Sequence, residues 1–341
     1  MMRVMHILPE LEEGGVERHV LMLSGQQREE GHDVYVVSAG GKLVSQLAKG
    51  VSHIRFPVHI KNPLVGIYCA VRLASFVKKN KIDIIHAHSR VPAWIAMLTS
   101  KMSGKRYFVT AHVDFGNHSK WIYTPYRKAK TVICVSKAVE NGMSDCFSRN
   151  TVVIRNGMPE TFNSWSGSGD KESIHFLFVG RLSKVKGLQD IFKILPEVAG
   201  NWTIDVVGDG PLRQTLQQMS ETLKLEEKTK FHGFRDDPDS WMERCDCLLF
   251  PSYNEGMPLT LARAIQIGIP VIASDIEPVI EMAVSNAGLI KPGALISWKK
   301  ALEKFIINKK SPSVFDKSKI PSIPQMTQKV ERVYRSIISP E

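Results

Sequence analysis

The segment "NEGMPLTLARAIQIGIP" places an acidic side chain directly before a short apolar helix. Pro258 is suited to the first helical position, where no intrahelical N–H is missed. Gly268 followed by Pro270 is a helix stop. Glu255 is therefore expected in a loop at a helix N-terminus, where free N–H groups and a carboxylate can hold a polar ligand together. The alternative is a glutamate that only stabilises the start of the helix.

A basic pair follows a second predicted strand, in "FVGRLSKVKGL". Arg181 and Lys186 there precede a helix start, and a guanidinium with an ammonium at such a place can neutralise a diphosphate. Glycines also follow other predicted strands. They are Gly14 and Gly15 in "PELEEGGVERHV" and Gly208 in "VVGDGPLR". They let the backbone approach a ligand. A tight strand-to-helix turn is the alternative for each glycine.

Candidate ligand or site histidines lie on or after two predicted strands of the first half of the chain. His112 follows "RYFVTA", whereas His86 and His88 alternate within "IDIIHAHS". Alternating histidines can be metal ligands, but the sequence places no acidic or third partner beside them. Packing and hydrogen bonding are the favoured roles, and no metal is expected.

The elements that position these residues are short apolar runs that alternate with helical patterns, as in parallel sheets covered by helices. Five predicted strands form a first sheet: "RVMHIL", "DVYVVSA", "IDIIHAHS", "RYFVTAHV" and "TVICVSK". After a polar, Gly/Ser-rich joint at 163–173, five more form a second: "HFLFVGR", "WTIDVVGDG", "KFHGF", "CDCLLFPS" and "PVIASD". Two α/β halves joined in this way imply a cleft between them, with ligands at the carboxyl ends of the strands.

The composition fits two soluble globular domains. The chain has 341 residues, of which 43% are hydrophobic and 23% charged. No apolar run near the start is long enough for a membrane span, and no signal peptide is evident. Five cysteines without a paired pattern fit a reducing cytoplasm. Cys245 and Cys247 are too close together, with no second pair, to predict a zinc site.

The net charge of +11 is unevenly distributed. Residues 1–165 hold 22 Lys and Arg against 12 Asp and Glu. A basic half can bind nucleic acid, an anionic membrane or anionic small ligands. No recognised nucleic-acid motif accompanies the charge, so nucleic acid is not expected as a partner. An anionic membrane surface is the favoured partner of this half, and plain solubility is the alternative.

Taken together, the motifs resemble those of a family 4 retaining glycosyltransferase with the GT-B fold. They run in order along nearly the whole chain, from "EEGGVE" through "DIIHAHS", "TAHV", "ICVSKAV", "VIRNGM", "VGRLSKVKG", "VGDGPLR", "HGF" and "PSYNEGMPLTLARAIQIGIPVIASD" to "GLIKPG". The resemblance implies two Rossmann-like doubly wound domains that face each other across a cleft. The acceptor domain would be 1–163, completed by a last helix at 325–341. The donor domain would be 164–324.

The resemblance also implies roles for individual residues. The backbone N–H of Gly15 would meet the donor phosphate, and His112 would contact the transferred sugar. Arg181 and Lys186 would clamp the diphosphate. Glu255 would hold a sugar hydroxyl.

Further donor-site residues follow from the same resemblance: Gly208, Gly256 and Met257, with the N–H groups of the last two near the sugar. One position departs from the family pattern. The second acid of the family's pair, eight residues after Glu255, is here Arg263, which has only hydrogen-bond donors. Arg263 could reach the diphosphate, pair with Glu255, or turn to solvent, and a neighbouring residue could bind the ribose instead.

The implied reaction moves a sugar from a UDP- or GDP-linked donor to a glycan or lipid-linked acceptor, with retained anomeric configuration and without a metal or cofactor. Cell-envelope polysaccharide synthesis, on the cytoplasmic face of the membrane, is the expected setting. A degenerate member that binds a glycan or a partner protein without catalysis is the alternative that Arg263 favours. A dinucleotide-dependent oxidoreductase is disfavoured because the first strand is not followed by G-x-G-x-x-G.

Overall fold

The chain folds into two units. The computed structural model describes residues 1–114, 116, 120–147, 150–160, 165, 167–170 and 172–338. Unit 1 comprises Met1–Pro159 with Pro321–Glu341, and unit 2 comprises Glu160–Ile320. The predicted boundary between residues 163 and 164 lies outside the described residues, as do parts of the 163–173 joint.

Unit 1 is built around a parallel sheet. Its described strands are β1 (Arg3–Ile7), β2 (Asp33–Ser38), β3 (Ser52–Arg55), β4 (Ile84–His88), β5 (Arg106–Ala111), β6 (Val132–Cys134) and β7 (Thr151–Val153). Their order across the sheet is β3-β2-β1-β4-β5-β6-β7. The helices that follow them along the chain are α1 (Gly15–Glu29), α2 (Pro63–Lys79), α3 (Arg90–Ser103), α4 (Thr124–Lys128) and α5 (Lys137–Gly142). The central strands β1 and β4 are buried along nearly their whole length, as is typical of a parallel sheet with helices on both faces.

Unit 2 repeats this plan with fewer strands. The described strands are β8 (Ile174–Val179), β9 (Trp202–Val207), β10 (Thr229–Gly233), β11 (Cys247–Phe250) and β12 (Val271–Ala273), in the parallel order β10-β9-β8-β11-β12. The helices are α6 (Leu188–Ile194), α7 (Arg213–Thr222), α8 (Pro238–Met242), α9 (Leu259–Ile267), α10 (Glu277–Ile280) and α11 (Leu295–Asn308). The core of unit 2 includes the buried rings of Trp202 and Trp298.

The last described helix, α12 (Ile323–Ile338), packs onto unit 1 although it follows unit 2 in the chain. Met326, Val330 and Tyr334 share a buried cluster with Leu23 and Phe108. These three residues repeat at a spacing of four, which puts them on one face of a helix. The chain therefore returns to its first unit to complete that unit's core.

The predicted fold class is confirmed, and so are all ten predicted strands. The sequence analysis missed β3 and β7, which lie at the two edges of the first sheet. Every residue of both strands is half-buried or exposed. Edge strands of this kind lack the apolar run that reveals a central strand.

Each sheet has one point where the strand order reverses. The reversal lies between β1 and β4 in unit 1, and between β8 and β11 in unit 2. Loops that leave neighbouring strands in opposite directions open a crevice there, and ligands of doubly wound proteins bind at that crevice. The loops after these four strands are therefore where a site is expected in each unit.

Candidate active site

In unit 2, the two loops at the reversal bring a lysine and a glutamate together. Lys186 ends a short 3-10 turn after β8, and Glu255 lies in the loop after β11. The Lys186 Nζ atom is 2.6 Å from Glu255 Oε1. The Glu255 side chain is 11% exposed and the Lys186 side chain 26%. The predicted cation and the predicted acid are thus direct partners.

Backbone contacts fix these two loops to each other. The Tyr253 N–H donates to the Val185 carbonyl at 2.7 Å. Gly187 has φ +72°, and a Cβ atom there would lie 2.0 Å from the Pro251 carbonyl oxygen. Only glycine fits this approach, because other residues would clash and would resist the left-handed backbone. Backbone contacts beside the lysine and beside the glutamate therefore join the two loops.

Tyr253 adds a polar contact that the sequence analysis missed. Its hydroxyl donates to Asp190 Oδ2 at 2.6 Å, and Lys193 pairs with the other oxygen of that carboxylate at 2.7 Å. The hydrogen bond to Asp190, with partial burial, raises the pKa of Tyr253. The only sequence signal was a tyrosine two residues before Glu255.

Arg181 differs from Lys186 in its surroundings. It follows β8 by two residues and is exposed. In the described part of the chain, its guanidinium makes no hydrogen bond or ion pair, so it is available to an anionic ligand. The two residues predicted to bind the diphosphate thus lie on one loop, and Lys186 is the one that already pairs with Glu255.

Gly208 is required by the fold itself. It follows β9 with φ +136°, and a Cβ atom would lie 2.0 Å from the Gly180 carbonyl oxygen. The loops after β8 and β9 therefore touch through their backbones. A tight turn accounts for this glycine whether or not a ligand binds nearby.

The loop between Glu255 and α9 is buried. Gly256 is buried, and Met257 is 8% exposed. Pro258, predicted at the first helical position, is instead the N-cap of α9, which begins at Leu259; its φ is −76° and its ψ 94°. Helix ends commonly differ by a residue from a sequence-based estimate. Gly268 ends α9 in the left-handed conformation, as predicted.

Arg263 is held by an acidic residue that the sequence analysis did not consider. Its Nε lies 3.0 Å from each carboxylate oxygen of Asp239 on α8, and a terminal nitrogen lies 2.5 Å from Oδ2. Its side chain is only 14% exposed. The idea that Arg263 turns to solvent is therefore wrong. Pairing with Glu255 is not what the structure shows, because Glu255 bonds to Lys186.

In unit 1, Gly15 opens α1 directly after its N-cap, Gly14. The Glu17 carboxylate folds back over this turn, and a Cβ atom on Gly14 would lie 2.2 Å from its Oε2. A carboxylate is favoured at a helix N-terminus. The N–H groups around Gly15 thus favour an anion at the start of α1. The carboxylate of Glu17 already lies near them.

His112 directly follows β5, as predicted, and belongs to a buried group of five histidines: His6, His19, His86, His88 and His112. Its Nε2 lies 3.1 Å from His88 Nδ1. The other nitrogen of His88 lies 3.1 Å from His6 Nδ1, and His6 Nε2 lies 2.8 Å from Gln27 Oε1. A continuous row of hydrogen bonds therefore joins α1, β1, β4 and the end of β5.

His86 lies beside this row with partners of its own. One nitrogen is 2.5 Å from the Tyr334 hydroxyl and the other 2.7 Å from Thr110 Oγ1. The hydrogen-bonding role predicted for His86 and His88 is therefore confirmed. Burial is the main cause that lowers the pKa of every histidine in the group. The pKa is about 4 for His6 and His19, and well below the ordinary value for His86, His88 and His112.

Two sets of three histidines place nitrogen atoms within 4.8 Å of one another: His6, His86 and His88, and His19, His88 and His112. A third set with this spacing is Glu30, His32 and Glu331. Neutral imidazoles at such spacing can bind a metal. The ring nitrogens of the first set all take part in hydrogen bonds already. A metal there would have to replace those bonds, and metal independence stays a prediction.

The sequence analysis missed His6, His19 and Gln27. His6 lies within the apolar run of β1 and shows no unusual context. His19 and Gln27 are both buried and lie eight residues apart on α1, with buried Leu23 between them. Two polar residues eight positions apart, on the helix face that also carries Leu23, were the signal available.

Two family models match the chain in succession. The model described as Glycosyltransferase Family 4 matches residues 13–162. The model described as Glycosyl transferases group 1 matches residues 160–320. Together they span both units apart from the chain ends.

Individual relatives agree with this assignment. The chain is 24% identical to a phosphatidyl-myo-inositol mannosyltransferase of Propionibacterium freudenreichii, over 81% of this chain and 77% of that protein. It is 27% identical to the lipopolysaccharide 1,6-galactosyltransferase of Salmonella typhimurium, over 59% and 58%. The Anabaena protein HepE, solved in complex with UDP and glucose, superposes with a TM-score of 0.85 at 18% identity, covering 99% of this chain and 100% of that one. Paired family models, relatives and a shared fold lead to one assignment: the chain is a GT-B glycosyltransferase of family 4, related to enzymes of the cell envelope.

Proposed function

We propose that the protein transfers a sugar from a nucleotide diphosphate sugar to a glycan or lipid-linked acceptor, with retention of anomeric configuration. The observation that carries the proposal is the Lys186–Glu255 pair at the strand-order reversal of unit 2. A cation for the diphosphate and an acceptor for a sugar hydroxyl lie side by side there. Unit 2 is accordingly the donor domain of the proposal and unit 1 the acceptor domain.

The proposed chemistry needs positive charge where the diphosphate leaves. Arg181 and Lys186 supply it from one loop, and the N-terminus of α9 adds oriented N–H groups. Such preorganised groups stabilise charge that develops in the transition state. The departing phosphate oxygen would take the proton of the acceptor hydroxyl on the same face of the sugar. His112 and Glu255 are the side chains proposed to contact the transferred sugar, and metal independence is part of the proposal.

The nature of the substrates is inferred from the relatives. HepE was solved with UDP and glucose, which supports a UDP-linked donor here. A GDP-linked donor is the second choice. The mannosyltransferase and the galactosyltransferase are named for phosphatidyl-myo-inositol and lipopolysaccharide. Both names support a lipid-linked or envelope acceptor.

Arg263 has a different proposed role from the acid that the family places there. Its bidentate pair with Asp239 connects α9 to α8. Because it has only donors, the ribose diol must find its acceptor on another residue. A protein that binds without catalysis is the second candidate function, and it is Arg263 that favours it.

Substitution of Arg181 and Lys186 gives the direct test of this function. Replacing Arg181 or Lys186 with alanine should weaken binding of UDP or GDP by about 1.5–3 kcal/mol, because each variant loses a hydrogen bond to a charged group. Isothermal titration calorimetry measures this affinity. Lys184→Ala is the matched control, since this exposed lysine belongs to the same 3-10 turn.

The outcomes separate the candidate functions. Weaker binding in both variants, together with transfer or hydrolysis of a nucleotide sugar by the natural protein, supports the enzyme. Binding without any turnover supports the degenerate protein. Unchanged affinity in both variants, or equal losses in Lys184→Ala, removes the two residues from the donor site.

We further propose that unit 1 contacts an anionic membrane through α2. Exposed apolar side chains occur along this helix at Leu64, Ile67, Tyr68 and Val71. Exposed basic residues accompany them: Lys61, Arg72, Lys78 and Lys79. Apolar side chains with a basic rim are the composition of a helix that lies on a bilayer surface. Among the described residues, no helix is long and apolar enough to cross a membrane.

Membrane binding can be measured by co-sedimentation with vesicles. We expect binding to vesicles with anionic lipid, and little to neutral ones, because each well-placed cation contributes about 1 kcal/mol. Replacing Leu64 with Asn should weaken it, and so should Lys78→Glu with Lys79→Glu. Ile307→Asn on α11 is the control, because that side chain is 79% exposed but belongs to unit 2. Equal binding to neutral and anionic vesicles would contradict the proposal.

A further inference from the structure

The row of hydrogen bonds behind His112 has a direction. Gln27 Oε1 can only accept, so His6 Nε2 carries the proton of their 2.8 Å bond. A neutral His6 then has a bare Nδ1, which must accept from His88 Nε2 at 3.1 Å. His88 Nδ1 is bare in turn and accepts from His112 Nε2 at 3.1 Å. Each ring thus fixes the proton position of the next.

We propose that Gln27, His6 and His88 are positioning residues that hold His112 as the neutral tautomer protonated on Nε2. His112 then offers the lone pair of Nδ1 as a hydrogen-bond acceptor. The ligand group that matches a bare nitrogen is a hydroxyl, such as one on the transferred sugar. This inference deepens the proposed function and rests on it for the identity of that ligand.

The rings must be neutral for this logic to hold, and their burial makes them so. His6, His86 and His88 are fully buried, and His112 is 7% exposed. No carboxylate takes part in the row, so a second proton on any ring would have no counter-charge there. The lowered pKa values described above follow from this burial. His112 is therefore suited to accept a hydrogen bond and poorly suited to act as a general acid.

The orientation of the Gln27 amide sets the direction of the whole row. If its nitrogen faced His6, every proton would shift and His112 would carry its proton on Nδ1. In the structure the Oε1 atom faces His6, 2.8 Å from its Nε2. The tautomer of His112 therefore reports which way the Gln27 amide lies.

An isolated neutral imidazole exchanges between two tautomers, and only one of them presents a bare Nδ1. Fixing the tautomer keeps all molecules in the state that accepts a hydroxyl. The residues in the row act through His112 and need not touch the substrate. Their removal should therefore change the state of His112 without changing how the nucleotide binds.

The test is NMR of the full chain labelled with ¹⁵N-histidine, without substrate. Long-range ¹H–¹⁵N spectra report which ring nitrogen carries the proton, and His112→Gln identifies the His112 signals. We expect a neutral ring protonated on Nε2 in the natural protein. A His112 protonated on Nδ1, or on both nitrogens at neutral pH, would overturn the proposal.

Two variants test the row itself. Gln27→Leu removes the acceptor that sets the direction, so His112 should become a mixture of tautomers and kcat should fall about tenfold with unchanged UDP affinity. Thr110→Val is the control, because it removes a bond of His86 outside the row and should leave the His112 spectrum unchanged. A Gln27→Leu protein with the natural His112 tautomer contradicts the proposal. If the tautomer of His112 is as expected but no nucleotide sugar binds or turns over, the proposed function is contradicted. The inference that the row fixes the His112 tautomer is then still supported.

Discussion

Replacing Glu255 with glutamine is expected to lower kcat for sugar transfer by about a hundredfold, while UDP affinity stays the same or increases a few-fold. A loss of this size is typical when one group that stabilises the transition state is removed. The carboxylate is the proposed acceptor for a sugar hydroxyl. The amide is a weaker acceptor of nearly the same shape.

The expected rise in affinity follows from the ion pair with Lys186. The ammonium lies 2.6 Å from Glu255, so a diphosphate must compete with the carboxylate for it. Glutamine leaves Lys186 in place with no charged competitor at Oε1. Turnover should therefore fall without any loss of nucleotide affinity, which a general loss of structure would not produce.

Steady-state kinetics and calorimetry with UDP measure the two effects. Glu227→Gln is the control for the change in net charge, because Glu227 is exposed on unit 2. A Glu255→Gln protein with natural turnover would show that the carboxylate does not contact the reacting sugar. Parallel loss of turnover and UDP affinity would instead assign Glu255 to nucleotide binding.

The fold could be predicted because central strands leave a strong signal. A strand such as β11 is buried along its whole length, and its sequence, "CLLF", is an unbroken apolar run. The edge strand β3 reads "SHIR" with no buried residue, and nothing in its letters distinguishes it from a loop. An edge strand forms because it pairs with a neighbouring strand, and a local pattern of apolar residues does not reveal that pairing.

The sequence predicted which loops form the site, but it did not predict the contacts between their side chains. The rule that ligands bind at strand ends selected Lys186 and Glu255, which lie 69 residues apart in sequence. Their contact depends on β8 and β11 being neighbours in the sheet, and strand order is not written in either segment. The partner of Arg263 was missed for the same reason, because Asp239 lies on another helix. The histidine row likewise depends on which strands are adjacent.

Gly208 shows why a glycine at a strand end is weak evidence for a ligand. Its φ of +136° is unfavourable for any residue with a side chain. The carbonyl oxygen of Gly180 occupies the place of a Cβ atom. Because the backbone itself demands glycine, a variant that lost donor binding here would not show that Gly208 touches the donor.

Replacing Gly208 with alanine should accordingly lower the free energy of unfolding of unit 2 by about 3 kcal/mol or more, in the absence of any ligand. Left-handed strain and overpacking each cost about 1–3 kcal/mol, and both apply here. Urea unfolding followed by tryptophan fluorescence measures the change, since Trp202 and Trp298 are buried in this core.

Gly66→Ala is the matched control for the same chemical change. Gly66 lies inside α2, where an added Cβ atom would meet nothing within 4 Å. Alanine there should stabilise unit 1 by about 0.5–1 kcal/mol, because glycine loses more conformational freedom on folding than alanine does. A Gly208→Ala protein that unfolds at the natural urea concentration, yet binds UDP more weakly, would reverse the argument. The glycine would then serve the donor rather than the turn.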